Sequence, residues 1–122
     1  MAPTISATIL VLEANAAVLE LIDQMLRESG HRVLSTNNGL EAVEVLRRVH
    51  VDVVIVGVPR EGRREELLAK IRSIRPGLPI VSICDPNDGM QKIDGTARLS
   101  SPFSLDDLGE AVAAGLNGRR GP

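Results

Sequence analysis

Short, mostly apolar runs alternate along this chain with segments of helical period, and that alternation leaves few folds open. The runs are Thr8–Leu12, Arg32–Ser35, Val51–Val56, Ile80–Cys84 and Ala97–Leu99. In the first, third and fourth, Val, Ile and Leu follow one another without polar alternation, the mark of strands buried on both faces. The intervening segments carry apolar stripes at three- and four-residue spacing. Ala16–Ser29 presents Val18, Ile22, Met25 and Leu26 and stops at Gly30. A second helix is predicted from Gly39 to Val49, with Leu40, Val43 and Leu46 inward and Ala42, Val45 and Val49 beside them. A third covers Arg63–Ile74 through Leu67, Leu68 and Ile71 and closes at Pro76-Gly77. The last starts at Ser104, an N-cap with Asp107 three residues on, and carries Leu105, Leu108, Val112 and Leu116. Strand and helix in turn specify an α/β domain: a parallel sheet with helices on both faces, joined by right-handed crossovers.

The 122 residues suit one such domain, expected over 1–118 with a frayed tail at 119–122. Phe103 is the sole aromatic residue, so the core must be aliphatic. A net charge of −2 gives no general attraction to nucleic acid or to anionic lipid, and neither is expected as a partner. Cys84, the single cysteine, excludes an internal disulfide and fits a reducing compartment. The apolar stretch nearest the N-terminus is too short for a signal peptide or a membrane span, so the expected location is cytoplasmic.

In open α/β sheets, ligands and chemistry collect at the carboxyl ends of the strands. Here those ends are Glu13-Ala14-Asn15, Gly57-Val58-Pro59, Cys84-Asp85-Pro86 and Ser100-Ser101-Pro102. Together with Gly30-His31-Arg32-Val33-Leu34 and the Ser101-Pro102-Phe103 step, these segments resemble CheY-like receiver domains over nearly the whole chain, from about Thr8 to Leu116. The resemblance implies a flavodoxin-like, doubly wound, five-stranded sheet of order 2-1-3-4-5. It also implies the family's chemistry, phosphoryl transfer from a histidine kinase to a third-strand aspartate. First-strand acids hold magnesium there, while a fourth-strand hydroxyl and a fifth-strand lysine bind the phosphoryl oxygens.

Position by position, that machinery is missing. The two acids become Glu13 and Ala14, the nucleophile Gly57, the hydroxyl Cys84 and the lysine Ser101, while Arg98 stands at the switch-aromatic position. Glu13 alone keeps the chemistry of its column. Asp52 does not substitute for the nucleophile. It precedes four apolar residues and lies most of a strand's length away, at the other edge of the sheet. The 44 residues from Glu13 to Gly57 also suit the family register. Cys84 to Ser101 spans 17 positions, and the residues between include two glycines and a proline, so the family's fourth helix is expected to be shortened or absent.

Several sharper readings compete with plain ones. Glu13, Asp85 and Asp88 could gather a cation, but nothing in the sequence fixes them together, and solvated loop acids are the simpler account. Cys84 beside Asp85 reads better as a small buried residue than as a reactive thiol. His31 and His50 follow helix ends, where a protonated imidazole suits the helix dipole. The bond before Pro102 is expected to be cis, as the family implies. Residues 58–77 carry net +3 and residues 81–110 net −4, either two solvated surfaces or complementary faces. The leading expectation is a non-enzymatic pseudo-receiver without metal or cofactor, a protein-interaction module of two-component signalling. Its partner would be a histidine kinase, a response regulator or a second copy in a homodimer. The candidate surface is Ala17, Glu20, Leu21 and Gln24 on the first helix, with Phe103 and Ser104 beyond strand five. The alternatives are a receiver module of a longer regulator or kinase, residual phosphotransfer through another acid, and a small ligand in a pocket vacated at Gly57 and Ala14.

Overall fold

Each predicted apolar run forms a strand of one parallel sheet. The computed structural model describes residues 6–57, 64–84, 96–100 and 103–119. The elements are β1 (Thr8–Glu13), α1 (Ala16–Glu28), β2 (Arg32–Thr36), α2 (Gly39–Arg48), β3 (Val53–Gly57), α3 (Arg64–Ile74), β4 (Ile80–Cys84), β5 (Thr96–Ser100) and α4 (Leu105–Arg119). The sheet order is β2-β1-β3-β4-β5, with all four neighbouring pairs parallel. Residues 85–95, where a shortened or absent helix is expected, lie outside the described residues. So do the third loop over 58–63 and residues 120–122, whereas Arg119 belongs to α4.

Successive strand residues point to opposite faces, so β1 divides its side chains between two cores. Ile9 and Val11 join Val53, Ile55 and Val81 under α1 (Ile22, Leu26) and α4 (Leu108, Val112). Leu10 and Leu12 join Val54, Val56 and Ile80 under α2 (Ala42, Leu46) and α3 (Leu68, Ile71). Burying each Leu or Ile side chain stabilises by about 1.5–3 kcal/mol, and two aliphatic layers on one sheet replace the missing aromatics. Two residues expected inward are not: Leu40 is 74% exposed and Leu105 48%. Both stand in the first turn of their helices.

The helix ends follow sequence logic. Asn15 and Asn38 cap α1 and α2, each Oδ1 accepting two backbone N–H groups at 2.9 and 3.2 Å. Gly30 takes φ +91° after α1, a left-handed conformation that glycine adopts without strain. Arg75 reaches back from the end of α3 to donate to the carbonyls of Leu46 (3.1 Å) and Val49 (2.8 Å), tying the end of α2 to α3.

At the amino edge of the sheet, two expectations need correcting. His31 is not a protonated helix-end imidazole: its Nδ1 accepts the Ala7 N–H at 3.2 Å, which requires that nitrogen to be bare, and burial lowers its pKa below the ordinary value. Asp52 is not merely solvated. Its Oδ2 accepts the Thr8 N–H at 2.9 Å, and its Oδ1 meets His50 Nε2 at 3.0 Å. Two consecutive amides at the start of β1 are thus held by side chains from either side.

The stability contributed by neutral His31 is whole above its ordinary pKa of 6.5 and is lost as pH falls through that value toward the lower folded one. Urea unfolding at about pH 7.5 and about pH 5 should show a loss in the native protein. His31→Asn, which keeps an acceptor without titrating, should lose less; equal losses in both would remove His31 from the account.

Candidate functional site

The β1–β3 register sets Glu13 directly beside Gly57 at the carboxyl edge of the sheet. The Ala14 N–H continues the ladder by donating to the Gly57 carbonyl at 3.3 Å. Strand three therefore delivers bare backbone where a side chain could point into the site, and strand one delivers the acid.

That acid is not solvated. Glu13 is only 7% exposed, and its side chain folds over Gly57. A methyl group at residue 57 would stand 2.1 Å from Glu13 Oε2, 2.7 Å from Cδ and 3.1 Å from Oε1, so the carboxyl group already fills that room. The pocket expected to be vacated at Gly57 is accordingly not empty. Glu13 reaches in because it has one methylene more than aspartate and glycine leaves it space. Oε2 is buried with no hydrogen-bond partner among the described residues. Burial pushes the Glu13 carboxyl above the ordinary value of 4.5, and the Ala14 N–H offsets part of that rise.

Ala14, the second vacated position, is exposed and lines an open groove of about 390 Å³ between α2 and α3, together with Leu12, Asn38, Leu40, Val43, Leu67 and Lys70. Cys84 ends β4 opposite Ser100, and Arg98 lies in β5 opposite Ser82. The side chains of Cys84 and Arg98 lie outside the described residues, as do Asp85, Asp88, Ser101 and Pro102 with its expected cis bond. Among the described residues no group of three or more His, Cys, Asp or Glu could hold a metal ion. Likewise, no helix of the described residues is long and apolar enough to cross a membrane.

The candidate partner surface divides. Ala17, Glu20, Leu21 and Gln24 are all exposed on α1, and Leu21 presents 54% of its surface. Phe103 instead packs partly against the α1/α4 core layer. Ser104 is exposed, but its hydroxyl accepts the Asp107 N–H at 3.1 Å while its own N–H donates to Asp107 Oδ2 at 3.0 Å. This capping box commits Ser104 to the start of α4. Asn15, whose capping role fixes the first turn of α1 next to the site, was foreshadowed only by its place ahead of a helical stripe.

No family model matches the chain. It is 29% identical over 124 residues to the DNA-binding transcriptional regulator NtrC of Azospirillum brasilense, covering 96% of this chain and 26% of that protein. It is 29% identical over 119 residues to the autoinducer 1 sensor kinase/phosphatase LuxN of Vibrio campbellii, covering 92% and 14%. Among solved structures, a response regulator receiver protein from Sinorhizobium medicae superposes with a TM-score of 0.76 at 25% identity, over 93% of this chain and 97% of that one. The chain spans from 14% to 39% of the length of the curated relatives it matches.

A buried acid with a raised pKa contributes stability that is fully present below the ordinary value of 4.5 and is lost as pH rises through the folded value. Glu13→Gln, neutral and of the same shape, should therefore stabilise the domain at neutral pH by about 1–3 kcal/mol. Denaturant melts should show that advantage shrinking as pH falls toward about 4.5 and absent below it.

Proposed function

We propose that this chain, a receiver (CheY-like) domain of the kind found in two-component regulators and kinases, is a pseudo-receiver that signals by binding protein rather than by accepting phosphate. The observation carrying this reading is the carboxyl edge of the β1–β3 pair. Gly57 has no nucleophilic atom, Ala14 has no carboxylate, and the Glu13 carboxyl is buried over Gly57. Aspartyl phosphorylation needs a carboxylate aimed outward at an in-line donor and cation oxygens to neutralise the transferring group. The Glu13 carboxyl is buried rather than presented to such a donor. The module is accordingly read as non-enzymatic and independent of magnesium or any cofactor.

What remains for signalling is surface. On α1, Ala17, Glu20, Leu21 and Gln24 form an exposed strip with an apolar centre at Leu21. Such a strip suits a helical partner: a small alanine permits close approach, a leucine supplies buried area, and the flanking polar groups set register. The partner is a histidine kinase, a response regulator or a second copy of the chain, in a cytoplasmic setting and without nucleic acid or membrane. A second reading is favoured by the small share of each relative that the chain spans. In it, the domain is the receiver module of a longer regulator or kinase, and the same α1 strip docks onto neighbouring parts of that protein.

Incubation with acetyl phosphate and magnesium should leave the intact mass unchanged; a phosphoryl adduct would end the phosphorylation-independent reading. In affinity capture, wild type should retain a histidine kinase or response regulator that the Ala17→Asp, Leu21→Asp variant loses by tenfold or more, about 1.4 kcal/mol. Equal retention by the two proteins would move the interface off α1.

A further inference from the structure

The loss of chemistry at the strand ends and the burial of Glu13 are one arrangement. Resting on the pseudo-receiver reading, we propose that the Glu13 carboxyl is the permanent internal occupant of this site, interlocked with Gly57 and closing the site to divalent cations. The distances carry the first half. A carboxylate oxygen 2.1 Å from where a Cβ at residue 57 would sit means that the carboxyl end of Glu13 must shift before any side chain can stand there. The reverse also holds, since Glu13 can lie inward only over a residue without a side chain.

The cation half follows from ligand chemistry. Magnesium requires near-octahedral oxygen coordination and binds through one or two carboxylates that face solvent, so that it keeps its remaining waters. Here Ala14 supplies a methyl group, Gly57 no side chain, and Glu13 a carboxyl more than nine-tenths buried. The magnesium implied by the fold family does not fit the described residues at this site. The orphaned Oε2 fits the same account. A neutral carboxyl group tolerates burial where a carboxylate would seek a cation, and burial shifts Glu13 toward that neutral form.

The interlock predicts a reversal of sign. Gly57 lies in a strand and needs no positive φ, so alanine there carries no backbone strain and reduces the freedom of the unfolded chain. Gly57→Ala should lower the melting temperature in the native background, because Glu13 must be expelled. In the Glu13→Ala background the same substitution should leave the melting temperature unchanged or raise it. A shift of the same sign and size in both backgrounds overturns the interlock, and a misfolded double variant would be recognised by loss of the native amide spectrum of Glu13→Ala alone. In the second arm, Mn²⁺ is titrated into wild type while amide intensities are read. Intensities of Ala14, Asn15 and Gly57 should be retained, and their selective loss overturns the closure. Selective Mn²⁺ broadening without a phosphoryl adduct would end this proposal and leave the phosphorylation-independent reading standing. An adduct would end that reading instead.

Discussion

The pairing of β1 with β3 is the contact from which the rest of the molecule follows. Five residue pairs, Ile9↔Val53 through Glu13↔Gly57, fix which face each apolar side chain takes. A slip of one residue would exchange the two cores, since side chains alternate along a strand. The register is held at both ends. At the amino edge Asp52 grips the Thr8 amide, and at the carboxyl edge the Ala14 amide reaches the Gly57 carbonyl. Between them Ile9, Leu10, Val11, Val53, Val54, Ile55 and Val56 have no exposed surface at all. The helices are then placed by what these strands leave uncovered, α1 and α4 on one face, α2 and α3 on the other.

Much of this was legible in the residues, for physical reasons that also mark the limits. Continuous Val and Ile runs announce doubly buried strands, and Asn38-Gly39 and the Ser104–Asp107 box announce helix starts, because these signals are local. Leu40 and Leu105 misled because helical spacing identifies a stripe but not how much of it is covered, and both are exposed in first turns. His31 and Asp52 are more telling. Each acts on β1 from a distant point in the chain, His31 on Ala7 and Asp52 on Thr8, and no local pattern carries that information.

The site shows the same limit more sharply. Column-by-column reading against receiver domains sets Glu13 at an acid's position and Gly57 at the nucleophile's, but it treats the two as independent. Only the register makes them neighbours, and only then does the extra methylene of Glu13 become the counterpart of the absent Cβ. Ala14 behaves differently. Its methyl group faces outward and lines the groove beside Leu40, so the two vacated positions open onto different surroundings. The α1 strip begins three residues beyond, at Ala17, and the Asn15 cap makes its first turn continuous with the strand that carries Glu13.

An interlocked pair of this kind constrains what either residue can become. An aspartate returned to position 57 would meet an occupied space, and a shortened acid at position 13 would leave a void over bare backbone. On the proposed interlock, a change at either position alone therefore disturbs the packing of the other. Within that proposal, positions 13 and 57 answer to each other, and a change at one is compensated only by a change at the other.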